Sequence, residues 1–159
     1  MDPSVGSELA YILKEVTFEW ADSYDAKDWN RLRKILAPTL RVDYSEVTGE
    51  SLKVVSRDEF VGIVSSENFV GDPLVDTQHL VGASRFTRAS EDEVQGFHQI
   101  RAAHQRYTSP DKTQVEAKGH GHALIRHDYK KIDGKWLLAG LKPTVRWNEY
   151  DFEKIFKGH

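Results

Sequence analysis

The feature that most restricts the fold is a change of hydrophobic period half-way along the chain. In the first half Leu9, Ile12, Leu13, Val16, Trp20 and Tyr24 recur every three or four positions, the mark of one helix face. A second helical run is expected over Asp28–Leu36 and ends before Pro38. Thr39–Tyr44 reads as a strand, and Ser56 with Glu59 forms a capping box that opens a helix through Phe60, Ile63 and Val64. A turn is expected at Gly71-Asp72-Pro73, after which the period becomes two. Long strands are expected at about 77–88, 92–108, 114–132 and 135–147, with Asp133-Gly134 as a hairpin turn and Glu149–Phe156 as a short closing helix. Helices first and antiparallel strands afterwards predict an α+β domain in which helices cover a curved sheet, a geometry that encloses a pocket.

At 159 residues, one domain over 1–159 accounts for the whole sequence. Lys and Arg number 22 against 25 Asp and Glu, so charge gives no case for nucleic acid as a partner. The chain has no cysteine, which excludes thiol nucleophiles and thiolate metal sites. No apolar run approaches the ~20 residues of a membrane span, and residues 1–10 lack the pattern of a signal peptide. An intracellular location and no membrane partner are expected. No Gly-rich phosphate loop or G-x-S-x-G elbow is present.

Strand parity sorts the seven histidines. Val94, Gly96, His98, Ile100, Ala102 and His104 share the expected inward face, and His98 and His104 are about 20 Å apart, too far to share a metal. His120 and His122 form an H-x-H pair on the face opposite Ala117, Gly119, Gly121, Ala123 and Ile125, which predicts a solvent or interface position. Such a pair needs a further ligand to hold zinc or copper, and none has suitable spacing. The facing of His79 is open, His127 is compatible with an inward position, and the terminal His159 is expected to fray. Tyr24, stacked above Trp20 at i, i+4, should turn toward the sheet, while Asp25 is open between a cap for the next helix and a functional role.

Several long strings carry a family resemblance. EWADSYDAKDWNRLRKILAPTLRVDY (19–44), VGIVSSENFVGDP (61–73), TQHLVG (77–82), GFHQIRAAHQRY (96–107) and YKKIDGKWLLAGLKPTVRWNEYDFEKIF (129–156) occur in order and span nearly the whole chain. Together they resemble scytalone dehydratase, the fungal melanin-pathway family. The resemblance implies an NTF2-like cone, a curved mixed or antiparallel sheet wrapped around N-terminal helices, assembled as a homotrimer. It implies a cytoplasmic enzyme, with an endosomal location in fungal cells as the alternative. It also implies dehydration of a cyclic β-hydroxyketone, a small aromatic polyketide, without metal or organic cofactor.

Carried over position by position, the resemblance makes His104 the catalytic histidine, held by Asp25. Tyr24 and Tyr44 become the carbonyl-side tyrosines, His79 the second active-site histidine, and Phe152 and Phe156 the aromatics that close the pocket. A histidine can take the proton α to a ketone and return one to the departing hydroxyl, while phenols stabilise the developing enolate. Three positions depart from the family. Ala123 and Ile125 stand where it has an active-site serine and asparagine, and Phe69 stands at an aliphatic pocket position. Little of the family's C-terminal covering tail follows Phe156. These departures point away from scytalone toward a less hydroxylated fused-ring ketone of reduced naphthol, anthrone or anthraquinone type. An isomerase or cyclase using the same base, or a ligand-binding module on the same cone, are the alternatives.

Overall fold

The computed structural model describes residues 2–157; His159, expected to fray, lies outside them. Helix α1 (Ser7–Ala26) buries Leu13, Val16, Thr17, Trp20, Ala21 and Tyr24, a stripe with spacings of three and four, and Lys27 ends it in the left-handed conformation. Ile12, expected in that stripe, is 40% exposed, because the buried face is centred on Leu13 and Val16. Helix α2 (Trp29–Lys34) starts where the Asp28 carboxylate accepts the Arg31 N–H.

Strand β1 (Leu36–Val42) begins earlier than the sequence pattern suggests. Leu36 and Ala37 are buried, and the Leu138 N–H donates to the carbonyl of Ile35 at 2.8 Å, so pairing starts inside the expected helix. Pro38 is accommodated in a register irregularity between Leu36 and Arg41, where no amide proton is needed. The short helix α3 (Ser45–Thr48) and strand β2 (Lys53–Ser56) had no distinct sequence signal. Helix α4 (Arg57–Val64) opens on the expected capping box of Ser56 and Glu59.

Four long strands follow: β3 (Val75–Ser90), β4 (Glu93–Tyr107), β5 (Val115–Ile132) and β6 (Lys135–Tyr150). Asp133 and Gly134, at φ of 51° and 77°, form the tight β5–β6 turn, a conformation in which glycine carries no steric penalty. The sheet order is β2-β1-β6-β5-β4-β3, antiparallel except for the β1–β6 pair. Register shifts at Val81/Ser84 and His122/Ala123 mark bulges that bend the long strands around α1. After β6 the chain turns at Tyr150, φ 59°, into a single 3-10 turn at Phe152–Lys154 rather than the expected helix.

The core fills the space between α1 and the concave face, with Leu13, Trp20, Tyr24, Phe60, Tyr129 and Leu138 all buried. Its deeper end is polar and closed. The Tyr129 hydroxyl meets Thr17 Oγ1 at 2.5 Å, His98 Nε2 at 2.8 Å and His127 Nδ1 at 3.3 Å. His98 and His127, both 0% exposed, confirm the inward parity. No helix among the described residues is long and apolar enough to cross a membrane.

Burial pushes His98 down to about 4 and His127 well below its ordinary value. The unfolded chain therefore takes up protons below pH ~6.5 that the folded chain refuses, so stability is full above that pH and falls as pH drops toward 4. At pH 5 His98 should cost about 2 kcal/mol and His127 should act in the same direction, read as a lower urea midpoint than at pH 7.5. A His98→Gln variant should lose less between the two pH values. An unchanged midpoint would contradict the neutral, buried assignment.

Candidate active site

The inside of the cone holds one coherent cavity, built from every long element. Trp20 and Tyr24 come from α1, Tyr44 from the end of the β1 segment, and Phe69 and Val70 from the loop after α4. His79 comes from β3, Ile100, Ala102 and His104 from β4, and Ala123 and Ile125 from β5. Pro143 and Val145 of β6 extend the wall, and Phe152 and Phe156 close it. Nine of the ten residues singled out from sequence thus line the same space: Tyr24, Tyr44, His79, His104, Phe69, Ala123, Ile125, Phe152 and Phe156. The tenth, Asp25, stands behind His79.

That position corrects the expected pairing of Asp25 with His104. The Asp25 carboxylate binds His79: Oδ1 lies 2.7 Å from Nδ1, and the two oxygens accept the His79 backbone N–H at 3.1 and 2.9 Å. The reason is geometric. Asp25 sits in the last turn of α1, which packs along β3, whereas His104 lies one strand further into the sheet. Because a carboxylate only accepts, Nδ1 of His79 carries a proton.

His104 has a different environment. It is 5% exposed, and its Nδ1 meets Thr77 Oγ1 at 2.8 Å across the β3–β4 pair. Thr77 was not anticipated, since a strand threonine carries no signal until its cross-strand partner is known. Burial, then the positive potential of His79, His120 and Lys27, push His104 down to about 3, which favours the neutral imidazole. Phe156 and Phe152 pack on its ring at 5.0 and 5.8 Å.

Tyr24 and Tyr44 approach each other at 3.3 Å between hydroxyls. Burial raises both: Tyr24 well above its ordinary value, aided by the Tyr44 charge, and Tyr44 to about 12, opposed by the bond from Tyr24. Both phenols therefore remain protonated donors. On the far side, Ala123 pairs with Val145 and Ile125 with Pro143, making a wall without polar side chains.

The rings of the H-x-H pair are engaged with neighbouring groups. His122 reaches the cavity rim, but its ring stacks on Trp147 at 4.2 Å and its Nε2 meets Glu149 at 2.9 Å. His120 Nδ1 accepts the backbone N–H of His104 at 3.3 Å. Of the two expected positions, solvent or interface, free solvent does not apply: both rings are half-buried by neighbouring β6 side chains. Among the described residues no three His, Asp or Glu side chains gather as a metal site.

Comparison with known proteins decides the family. The family model described as scytalone dehydratase matches residues 7–159. The chain belongs to the scytalone dehydratase family. It is 52% identical over 145 residues to the scytalone dehydratase of Pyricularia oryzae, covering 91% of this chain and 84% of that one. It is 54% identical over 145 residues to scytalone dehydratase arp1 of Aspergillus fumigatus, covering 91% and 86%. Among solved structures, the Kfla4162 protein from Kribbella flavida superposes with a TM-score of 0.77 at 16% identity, covering 91% of this chain and 94% of that one. That likeness speaks to the NTF2-like fold alone. Membership of the scytalone dehydratase family makes the chain an enzyme, a hydro-lyase.

The aromatic cover of this family's cavity is fastened from below. Arg106 and Asp72, both nearly fully buried, pair at 2.8 Å, and Arg106 Nε donates to the Ile155 carbonyl at 2.7 Å. The segment can lie this close because residue 119 is glycine; a Cβ there would collide with the backbone of Phe152. Arg106→Met should leave Asp72 buried and unpaired and cost about 3–5 kcal/mol. It should also expose the chain beyond Tyr150 to limited proteolysis. Unchanged stability and protection would remove the fastening role.

Proposed function

We propose that this enzyme eliminates water from a cyclic β-hydroxyketone of fungal polyketide metabolism, with His79 and Asp25 moving the proton. The observation that carries the reading is the convergence on one cavity of a carboxylate-held histidine and a pair of protonated phenols. Nε2 of His79 takes the proton α to the ketone, and the electron pair moves onto the carbonyl oxygen. Tyr24 and Tyr44 hydrogen-bond that oxygen as it becomes an enolate. The enolate collapses, a carbon–carbon double bond forms, and the β-hydroxyl leaves with the proton that His79 carries. Asp25 stabilises the intermediate imidazolium and holds the ring in the tautomer that starts the cycle. His104, neutral and fixed by Thr77, is the hydrogen-bond partner that orients the substrate hydroxyl rather than the base.

Relatives bearing the scytalone dehydratase name in two fungi support a melanin-type, aromatic polyketide substrate. The apolar wall of Ala123, Ile125, Pro143 and Val145, with Phe69 beside it, favours a fused-ring ketone with fewer hydroxyl groups at that end. A reduced naphthol or an anthrone or anthraquinone precursor has this shape. Homotrimer assembly belongs to the same reading, and exposed Trp147 and Tyr150 give apolar surface for it. So does a cytoplasmic location; no residue feature favours the endosomal alternative.

Turnover of a ketone panel tests the chemistry. His79→Ala and Asp25→Asn should each lower kcat by about 10²–10⁴-fold, whereas His104→Ala should act mainly on KM. Undiminished activity in the first two variants would sink the assignment. Restoring polarity with Ala123→Ser and Ile125→Asn should raise kcat/KM about tenfold for the more hydroxylated ketones relative to the others. No change in that ratio would remove the wall from substrate selection.

A further inference from the structure

Trp20 is the ring at which the cavity and the buried network beneath it meet. Its centroid lies 5.3 Å from Tyr24, 5.2 Å from His79 and 4.5 Å from His127. It lines the cavity at 2% exposure, and its indole N–H has no hydrogen-bond partner in the protein. A buried donor without an acceptor is unfavourable, and a phenylalanine would fill most of the space without that cost.

The neighbours differ in what they can accept. Nδ1 of His79 is occupied by Asp25. Two neighbours have spare capacity: His127 Nε2 has no hydrogen-bond partner, and the Tyr24 oxygen meets Tyr44 at 3.3 Å, long for two hydroxyls. Trp20 and Tyr24 sit at i, i+4 on α1, so their side chains lie along one another. Consistent with this, the indole N–H partly opposes the rise that burial imposes on Tyr24.

We propose that Trp20 is a positioning residue whose indole N–H donates to the Tyr24 hydroxyl oxygen as charge develops on the substrate carbonyl. A phenol that gives its proton toward an enolate gains negative charge on its own oxygen. A donor aimed at that oxygen strengthens the phenol's hydrogen bond in the transition state more than in the ground state. The inference rests on reading Tyr24 as a carbonyl-side donor.

The test replaces the N–H and keeps the ring. Site-specific incorporation of 3-benzothienylalanine at position 20 puts sulfur in place of the nitrogen with the same shape, and Trp20→Phe serves as a second variant. Either change should lower kcat about tenfold, with KM within twofold, and leave the melting temperature near that of the parent. In a Tyr24→Phe background the same change should cost nothing further. Equal losses in both backgrounds overturn the proposal, as does a loss that vanishes only with His127→Phe, which would make His127 the acceptor. Unchanged kcat in the position-20 variants, with Tyr24→Phe impaired, overturns this inference and leaves the proposed function standing. A Tyr24→Phe enzyme with full activity overturns both.

Discussion

Everything in the cavity depends on one carboxylate. β3 is an edge strand, so the backbone N–H of His79 on its outer side has no strand to pair with. Asp25 takes that N–H with both oxygens and the ring Nδ1–H with one. A single side chain thus satisfies the sheet edge, ties α1 to β3, and sets the tautomer of the histidine. Tyr24, the adjacent residue on α1, is brought over the cavity by the same tie. A fold need and a chemical need are met by the same three hydrogen bonds, so neither can be altered alone.

Burial then divides the titratable groups by role. Tyr24 and Tyr44 are raised and stay protonated; His104 is lowered and stays neutral. These groups can offer hydrogen bonds of fixed character but cannot cycle through charge. His79 differs in having an anionic partner within 2.7 Å, which compensates an imidazolium in a poorly solvated place. The apolar surroundings that favour a neutral His104 also strengthen the Asp25–His79 interaction. Between His79 and His104, the carboxylate stands beside His79.

Elements with strong periodicity were legible. The four long strands, the capping box at Ser56 and the Asp133-Gly134 turn need only local rules, and the inward parity of His98 and His104 follows from strand geometry. Pairing between elements was not legible in the same way. Which histidine Asp25 reaches depends on how α1 lies against the edge of the sheet, and the sequence string SYD holds no information about that. β1 was misread at Leu36 because its start is decided by parallel pairing with β6, while Pro38 locally mimics a helix stop. His120 and His122 were placed by parity on the outer face, but long side chains from β6 cover them there. In each case the missing quantity was a tertiary distance.

The same distinction explains why the hydrogen bonds of the site do not depend on the apolar positions 123 and 125. His104 needs a partner to hold its ring, and Thr77 supplies it from directly across the β3–β4 ladder. Asp25 holds the other histidine from α1, and the two phenols lean on each other. Every proton-handling group is thus supported from the α1 and β3 side of the cavity, and none takes a hydrogen bond from residue 123 or 125. The side chains of Ala123, Ile125, Pro143 and Val145 give none of these groups a hydrogen bond. The side chains of Ala123, Ile125, Pro143 and Val145 offer no hydrogen-bond partner, whereas His122 and Asn148 of the same strands bring polar groups to the cavity. Tyr24, Tyr44, His79 and His104 thus come from other elements than the apolar Ala123, Ile125, Pro143 and Val145 of the same cavity.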